Sequence, residues 1–166
     1  MKTMFKAALA ATVATGLLAA PAFAANSDTK PFTATAKIVK PLTLTKVKDL
    51  DFGTITMGNS LTSSDVTVDQ AGTAPTCGAN LSCTAPTAGS FTVTGVGTQS
   101  LTVSLTPPAT LKDASNNTVA LTVDAPATVA LTNGSGSFGI GGKITVTSGT
   151  VEGTYSNTMD VTVSYN

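Results

Sequence analysis

The chain has 166 residues, with nine lysines balanced by nine carboxylates and neither arginine nor histidine. Only 11% of its residues are charged and Thr, Val, Ala, Gly and Ser dominate, a composition that favours pleated sheet over helix. Such a surface has no basic field for nucleic acid or anionic membrane, so neither is an expected partner.

The first residues read as an export signal. Lys2 and Lys6 precede an apolar stretch from Ala7 to Ala20, followed by Pro21 and the small-residue site Ala22-Phe23-Ala24, with cleavage expected after Ala24. Removing residues 1–24 takes away two of the nine lysines, leaving seven against nine carboxylates and a slightly negative mature chain. That chain, residues 25–166, suits one domain able to bury about 68–70% of its unfolded surface. Passage through the inner membrane to the periplasm and then the cell surface or medium is the expected route.

Short alternating runs follow, separated by turn residues. "PFTATAKIVK" places Phe32, Ala34, Ala36 and Ile38 on one face; "PLTLTKV" gives Leu42 and Leu44; "DLDFGTIT" gives Leu50, Phe52 and, after a phase slip at Gly53, Ile55. A glycine inside a strand pattern marks a bulge or a close backbone approach, so a bend is expected at Gly53. "SDVTVDQ" gives Val66 and Val68, and Ala71 to Ser90 reads as a long loop. Its two cysteines, Cys77 and Cys83, are the only ones in the chain. In an oxidising compartment they read as a disulfide, worth about 2.4 kcal/mol from loop-closure entropy. Metal ligation would lack two of four ligands, and a redox pair would use a closer spacing.

The second half keeps the rhythm. "SFTVTGV" gives Phe91 and Val93, and "SLTVSLT" gives Leu101, Val103 and Leu105 before Pro107-Pro108 ends the run. "TVALTVDAPATVALTN" holds two near-copies of T-V-A-L-T, expected to form a hairpin around Asp124 to Ala127. "GGKITVTSGT" gives Ile144 and Val146. The closing run places Met159, Val161, Val163 and Tyr165 on one face, with Asp160, Thr162 and Ser164 on the other. Regularly spaced short strands without a helical pattern predict a two-sheet β-sandwich.

Catalytic chemistry has few carriers here. Without histidine or arginine, and with Glu152 the lone glutamate, neither a general base nor a phosphate clamp stands out, and an enzyme is not expected. Asp49 and Asp51 fall on one strand face, where two solvated aspartates are the ordinary outcome and a calcium corner the sharper one. Gly134-Ser-Gly136-Ser-Phe-Gly139 fits the dinucleotide spacing, yet the β-like "KITVTS" follows where a helix N-terminus is needed, so a hairpin loop is expected and no cofactor.

The two ends of the mature chain carry a resemblance. In "GTYSNTMDVTVSYN", the penultimate Tyr165 and Gly153, the fourteenth residue from the end counting Asn166 as the first, resemble the termini of pilin subunits of the periplasmic chaperone-usher route. The archaic, spore-coat-U-like pilins are the nearest in character. "ATAKIVKPLTLTKVKDLDFGTI" is similar to the exported proteins catalogued as domain of unknown function 4402, and its D-L-D-F-G-T element also resembles those pilins. The chain departs from them where Pro41 and Leu42 stand in the region of an early first-strand cysteine.

The resemblance implies an immunoglobulin-like sandwich lacking its last strand and completed by donor-strand exchange, a form of β-strand addition. Residues 25–39 would be an N-terminal extension and residues 40–166 the pilin-like domain. Met159, Val161, Val163 and Tyr165 would line the acceptor groove, Gly153 would permit the turn into the last strand, and Phe32, Ala34, Ala36 and Ile38 would be the donor. The implied partners are further copies of the chain, joined head-to-tail, with a periplasmic chaperone and an outer-membrane usher. Two alternatives stand beside this. Phe32 to Ile38 also reads as the domain's own first strand, with only residues upstream of Thr33 then free to donate. The whole chain also reads as a self-contained secreted adhesin or binding module using the cysteine loop or the "NGSGSFGIGG" loop.

Overall fold

The computed structural model describes residues 27–166, within which every α-helical or strand element is a strand. The expected export signal lies outside the described residues. The chain divides into two units, residues 1–36 and 37–166. In the first, residues 27–36 are exposed and carry no regular structure.

The second unit contains β1 (Thr43–Lys48), β2 (Thr54–Met57), β3 (Ser63–Val68), β4 (Thr76–Cys77), β5 (Leu81–Thr84) and β6 (Gly89–Thr94). It continues with β7 (Ser100–Thr106), β8 (Thr110–Lys112), β9 (Thr118–Asp124), β10 (Thr128–Ala130), β11 (Ser135–Thr147) and β12 (Asp160–Tyr165). One curled sheet runs β1-β6-β11-β3-β4, with β9 and β8 added along the second half of β11. Opposite it stand a three-stranded sheet, β10-β7-β12, and a two-stranded sheet, β2-β5. All described pairings are antiparallel, and together the sheets form an all-β sandwich.

β11 is the spine. Its first half pairs with β6 (Phe138 opposite Phe91), and its second half pairs with β3 and β9, placing Ile144 opposite both Val66 and Leu121. Alternation along it sends Phe138, Ile140, Ile144 and Val146 inward, all buried. The core accordingly forms two clusters. One gathers Val66, Val68, Val119, Leu121, Ile144 and Val146 of the large sheet under Phe52, with Ile55 and Cys83 of the β2-β5 sheet against it. The other gathers Val93, Phe138 and Ile140 against Leu101, Val103 and Val129 of the three-stranded sheet.

Several expectations are corrected. The two T-V-A-L-T copies do not form a hairpin: β9 joins the large sheet and β10 joins β7. Each copy has one buried Val/Leu pair, but Val119 and Leu121 enter the first cluster while Val129 and Leu131 enter the second, so Asp124 to Ala127 crosses between layers. The "NGSGSFGIGG" stretch is not a loop beyond its first two residues. Asn133 (φ 53°) and Gly134 (φ 80°) make a two-residue turn closed by a Thr132–Ser135 bridge, and β11 begins at once. Its glycines serve close backbone approach, for a Cβ at Gly139 or Gly141 would overlap the carbonyl oxygen of Gln70 or Val68. Ala71 to Ser90 is not a bare loop either, since it contains β4, β5 and the start of β6. The Cys77–Cys83 disulfide, with Cα atoms 5.9 Å apart, ties β4 of the large sheet to β5 of the small one.

The bend expected at Gly53 is present. Its φ is +73°, and a Cβ there would overlap the Thr84 carbonyl oxygen. Gly53→Ala therefore combines left-handed backbone strain of about 1–2 kcal/mol with a backbone clash. It is expected to lower unfolding stability by about 2 kcal/mol or more, read from urea denaturation of the mature protein.

Acid sensitivity follows from the carboxylates. Thr145 Oγ1 donates to Asp65 at 2.7 Å and Lys143 Nζ at 3.0 Å, and these hydrogen bonds hold the Asp65 carboxyl below its ordinary value. The Asn117 side chain and backbone, with the Ser115 amide, do the same for Asp113. Groups with a lowered folded pKa add stability above their unfolded pKa and lose it as pH falls through the folded one. Stability should thus be level near neutrality and decline below about pH 4. Asp65→Asn should reduce that acid slope in urea midpoints measured from pH 7 to pH 2, and an unchanged slope would contradict the assignment.

Candidate functional site

The layer opposite the large sheet is made of two separate pieces, and a groove of about 1160 Å³ opens where they fail to meet. One wall comes from β1, β2 and the Asp49–Gly53 connection between them. The other comes from the segment Thr150–Thr158 and the first residues of β12. The floor is the core itself, reached through Phe91, Val119, Leu121, Ile140, Ile144 and Val146. Most floor side chains are already buried, Ile140 to 2% and Ile144 to 5% exposure.

Strand edges border this groove. Among the described strands β1 pairs with β6 alone, β2 with β5 alone and β12 with β7 alone, which leaves each with one edge unladdered. Natural sheets blunt such edges with charge, and here Lys46, Lys48 and Asp160 stand along the rim. Lys46 is bound to Asp49 at 2.7 Å, and the Asp51 carboxylate accepts the Gly53 N–H at 2.8 Å. The two aspartates therefore serve different local contacts and do not converge as an acid pair.

The sequence-predicted acceptor residues separate into two pairs. Met159 and Val161 line the groove. Val163 and Tyr165 share their face of β12 but lie beyond the groove, packed on the cluster around Leu101. Tyr165 has a further role that alternation alone does not reveal. Its hydroxyl donates to the Lys40 carbonyl at 3.0 Å and accepts the Val96 N–H at 3.1 Å, fastening the end of β12 to the approach to β1 and to the β6–β7 turn. The signal for it was composition: an aromatic with a polar tip at a strand end needs a partner for its hydroxyl.

Gly153 lies in the groove wall, six residues before Met159, with no left-handed backbone. A Cβ there would meet the Asp113 carboxylate at 3.4 Å, ordinary contact, so nothing local demands glycine. Phe32, Ala34, Ala36 and Ile38 are all exposed, Phe32 to 91% and Ile38 to 92%, and residues 27–42 form no strand. The first strand of the domain is β1, downstream of them all.

Over residues 42–165 the sequence matches a family described as a domain of unknown function, DUF4402. Comparison with curated proteins and with solved structures gives no match.

The Tyr165 hydroxyl offers a clean test of how firmly the domain's entry point is fixed. Two hydrogen bonds at about 0.5–1.5 kcal/mol each make Tyr165→Phe cost about 1–3 kcal/mol. Amide exchange at Val96 should quicken in the variant more than exchange in the core of β11, and a uniform change would contradict a local clamp.

Proposed function

The chain belongs to the DUF4402 family, and from that premise we propose that it is a structural subunit of a bacterial surface fibre, joined to other copies of itself by donor-strand complementation. The observation that carries this is the split second layer. A strand laid in the groove would run between β2 and the opening residues of β12, Asp160 and Val161, the strand edges that the two separate sheets bring to the groove. The chain also supplies a segment of the right kind. Phe32, Ala34, Ala36 and Ile38 alternate with polar residues over a strand's length, and they stand exposed.

The energetics favour insertion. Burying Phe32 and Ile38 contributes about 1.5–3 kcal/mol each, and every net ladder hydrogen bond adds about 0.5–1.5 kcal/mol. Because the donor is covalently part of another subunit, head-to-tail pairing does not close and propagates as a filament. A subunit with an unfilled groove needs a temporary occupant in transit, which is the place for a periplasmic chaperone, with an outer-membrane usher as the site of exchange. The subunit acts without catalysis or cofactor. Of the loops available to a self-contained binding module, "NGSGSFGIGG" is already committed to β11, which weakens that alternative.

Unboiled mature protein on denaturing gels should show a ladder of multimers that collapses on heating. Deleting residues 25–38 should abolish the ladder and leave a subunit whose melting temperature rises when a synthetic peptide of residues 27–40 is added. A wild-type monomer whose melting is unchanged by the deletion would overturn the proposal.

A further inference from the structure

The β2-β5 pair is continuous with the large sheet. Lys48 stands opposite Ser90, Asp51 opposite Thr87 and Thr54 opposite Thr84, so each step along one strand is matched by an equal step along the other. β1–β2 and β5–β6 are thus one antiparallel ribbon in one register, which leaves the large sheet and crosses the core as a strap. Between the Asp51–Thr87 bridge and the first pair of the strap both strands turn left-handed, at Gly53 (φ 73°) and Ala85 (φ 54°). That conformation is routine for glycine and costly for alanine, so strain is stored where the ribbon bends.

Beyond the bend the strap is lightly held. β2 and β5 ladder only to each other, and no residue of either is fully buried. Ile55, Leu81 and Cys83 pack on the first core cluster, while Thr54, Thr56, Ser82 and Thr84 are exposed. Among the described residues no hydrogen bond joins either strand to the large sheet. The Gly78 N–H donates to the Asp65 carbonyl at 2.9 Å and Ser64 Oγ to the Ala79 carbonyl at 2.7 Å, but these fasten the connection 78–80 and stop short of β5. The one cross-link that fixes β5 itself to β4, and through β4 to β3, is Cys77–Cys83. A two-stranded ribbon without further support is marginally stable, so this cross-link governs how often the strap lifts.

We propose that the β2-β5 strap is a redox latch: thiol–disulfide exchange at Cys77–Cys83 with an external dithiol frees it from the large sheet while the rest of the sandwich stays folded. Both cysteines are half-buried and not sealed in the core. A dithiol supplies two electrons and two protons. One of its thiolates attacks a cysteine sulfur and its second thiol resolves the mixed disulfide, so Cys77 and Cys83 leave as thiols and the reductant leaves oxidised. The freed strap swings about Gly53 and Ala85, on the tethers 58–62 and 78–80, and widens the groove at Ile55 and Met57. Exchange with an external disulfide closes it again. The latch follows from the ribbon alone and holds whether or not the groove takes a donor strand.

Peptide-resolved hydrogen exchange on mature full-length protein, before and after dithiothreitol, measures the latch. Reduction should speed exchange of the β2 and β5 amides by about tenfold or more, as the loop-closure constraint is lost, and leave β7, β9 and β11 unchanged. Cys77→Ser combined with Cys83→Ser should reproduce the reduced pattern without dithiothreitol. Ala85→Gly, which removes strain from the closed strap, should slow strap exchange in the reduced protein about fivefold. Unchanged β2 and β5 exchange on reduction would overturn the proposal. So would acceleration spread evenly into β11, or loss of the β-sheet circular dichroism signal, because the disulfide would then be a staple for the whole domain. Strap exchange indifferent to Ala85→Gly would overturn the bend as its hinge.

Discussion

A backbone N–H or C=O at a strand edge pairs with another strand or with water, and in this chain the single-laddered strands β1, β2 and β12 all bring residues to one groove above the core. The large sheet is continuous, because β11 is thirteen residues long and draws β6, β3 and β9 to its edges. The facing layer has no such spine. Its two sheets are anchored separately, β10-β7-β12 through the cluster around Leu101 and β2-β5 through the cluster around Phe52 and the Cys77–Cys83 bridge. The core is accordingly divided, and the groove is lined from both clusters.

The elements around the groove are held firmly. Gly53 takes the left-handed conformation that turns the chain from the crossing into β2, and the Thr84 carbonyl leaves no room for a side chain there. At the other pole Tyr165 binds both Lys40 and Val96, so the last strand and the approach to the first strand are fixed to each other. A groove with fixed walls suits strand addition better than a loose one, because ordering costs are met before the partner arrives.

Faces were legible in the sequence where partners were not. Alternation correctly set Val66 with Val68, Leu101 with Val103, and Ile144 with Val146, and Pro107 ended β7 because proline cannot donate to a ladder. Alternation is a property of one strand, however, and pairing is a property of two. The T-V-A-L-T copies look alike yet enter different sheets, since either fits any half-buried edge. The glycines from 134 to 142 read as a loop because a sequence does not distinguish a glycine needed for a turn from one needed to let Gln70 or Val68 approach. At the groove, period two picked out Met159 and Val161, but it also swept in Val163 and Tyr165, which share the face without reaching the groove. The opposite wall, where Leu50 and Phe52 lie above Gly142, has no sequence signature because it arises from a crossing between layers.

The most direct measurement of the central claim is amide hydrogen exchange along β12 in the assembled protein. The account predicts that the groove-facing amides at the start of β12, where Asp160 and Val161 line the groove, exchange as slowly as those laddered to β7, since a donor strand from another copy would pair with them. Exchange of those groove-facing amides at the rate of an open strand edge, alongside protected amides toward β7, would contradict it.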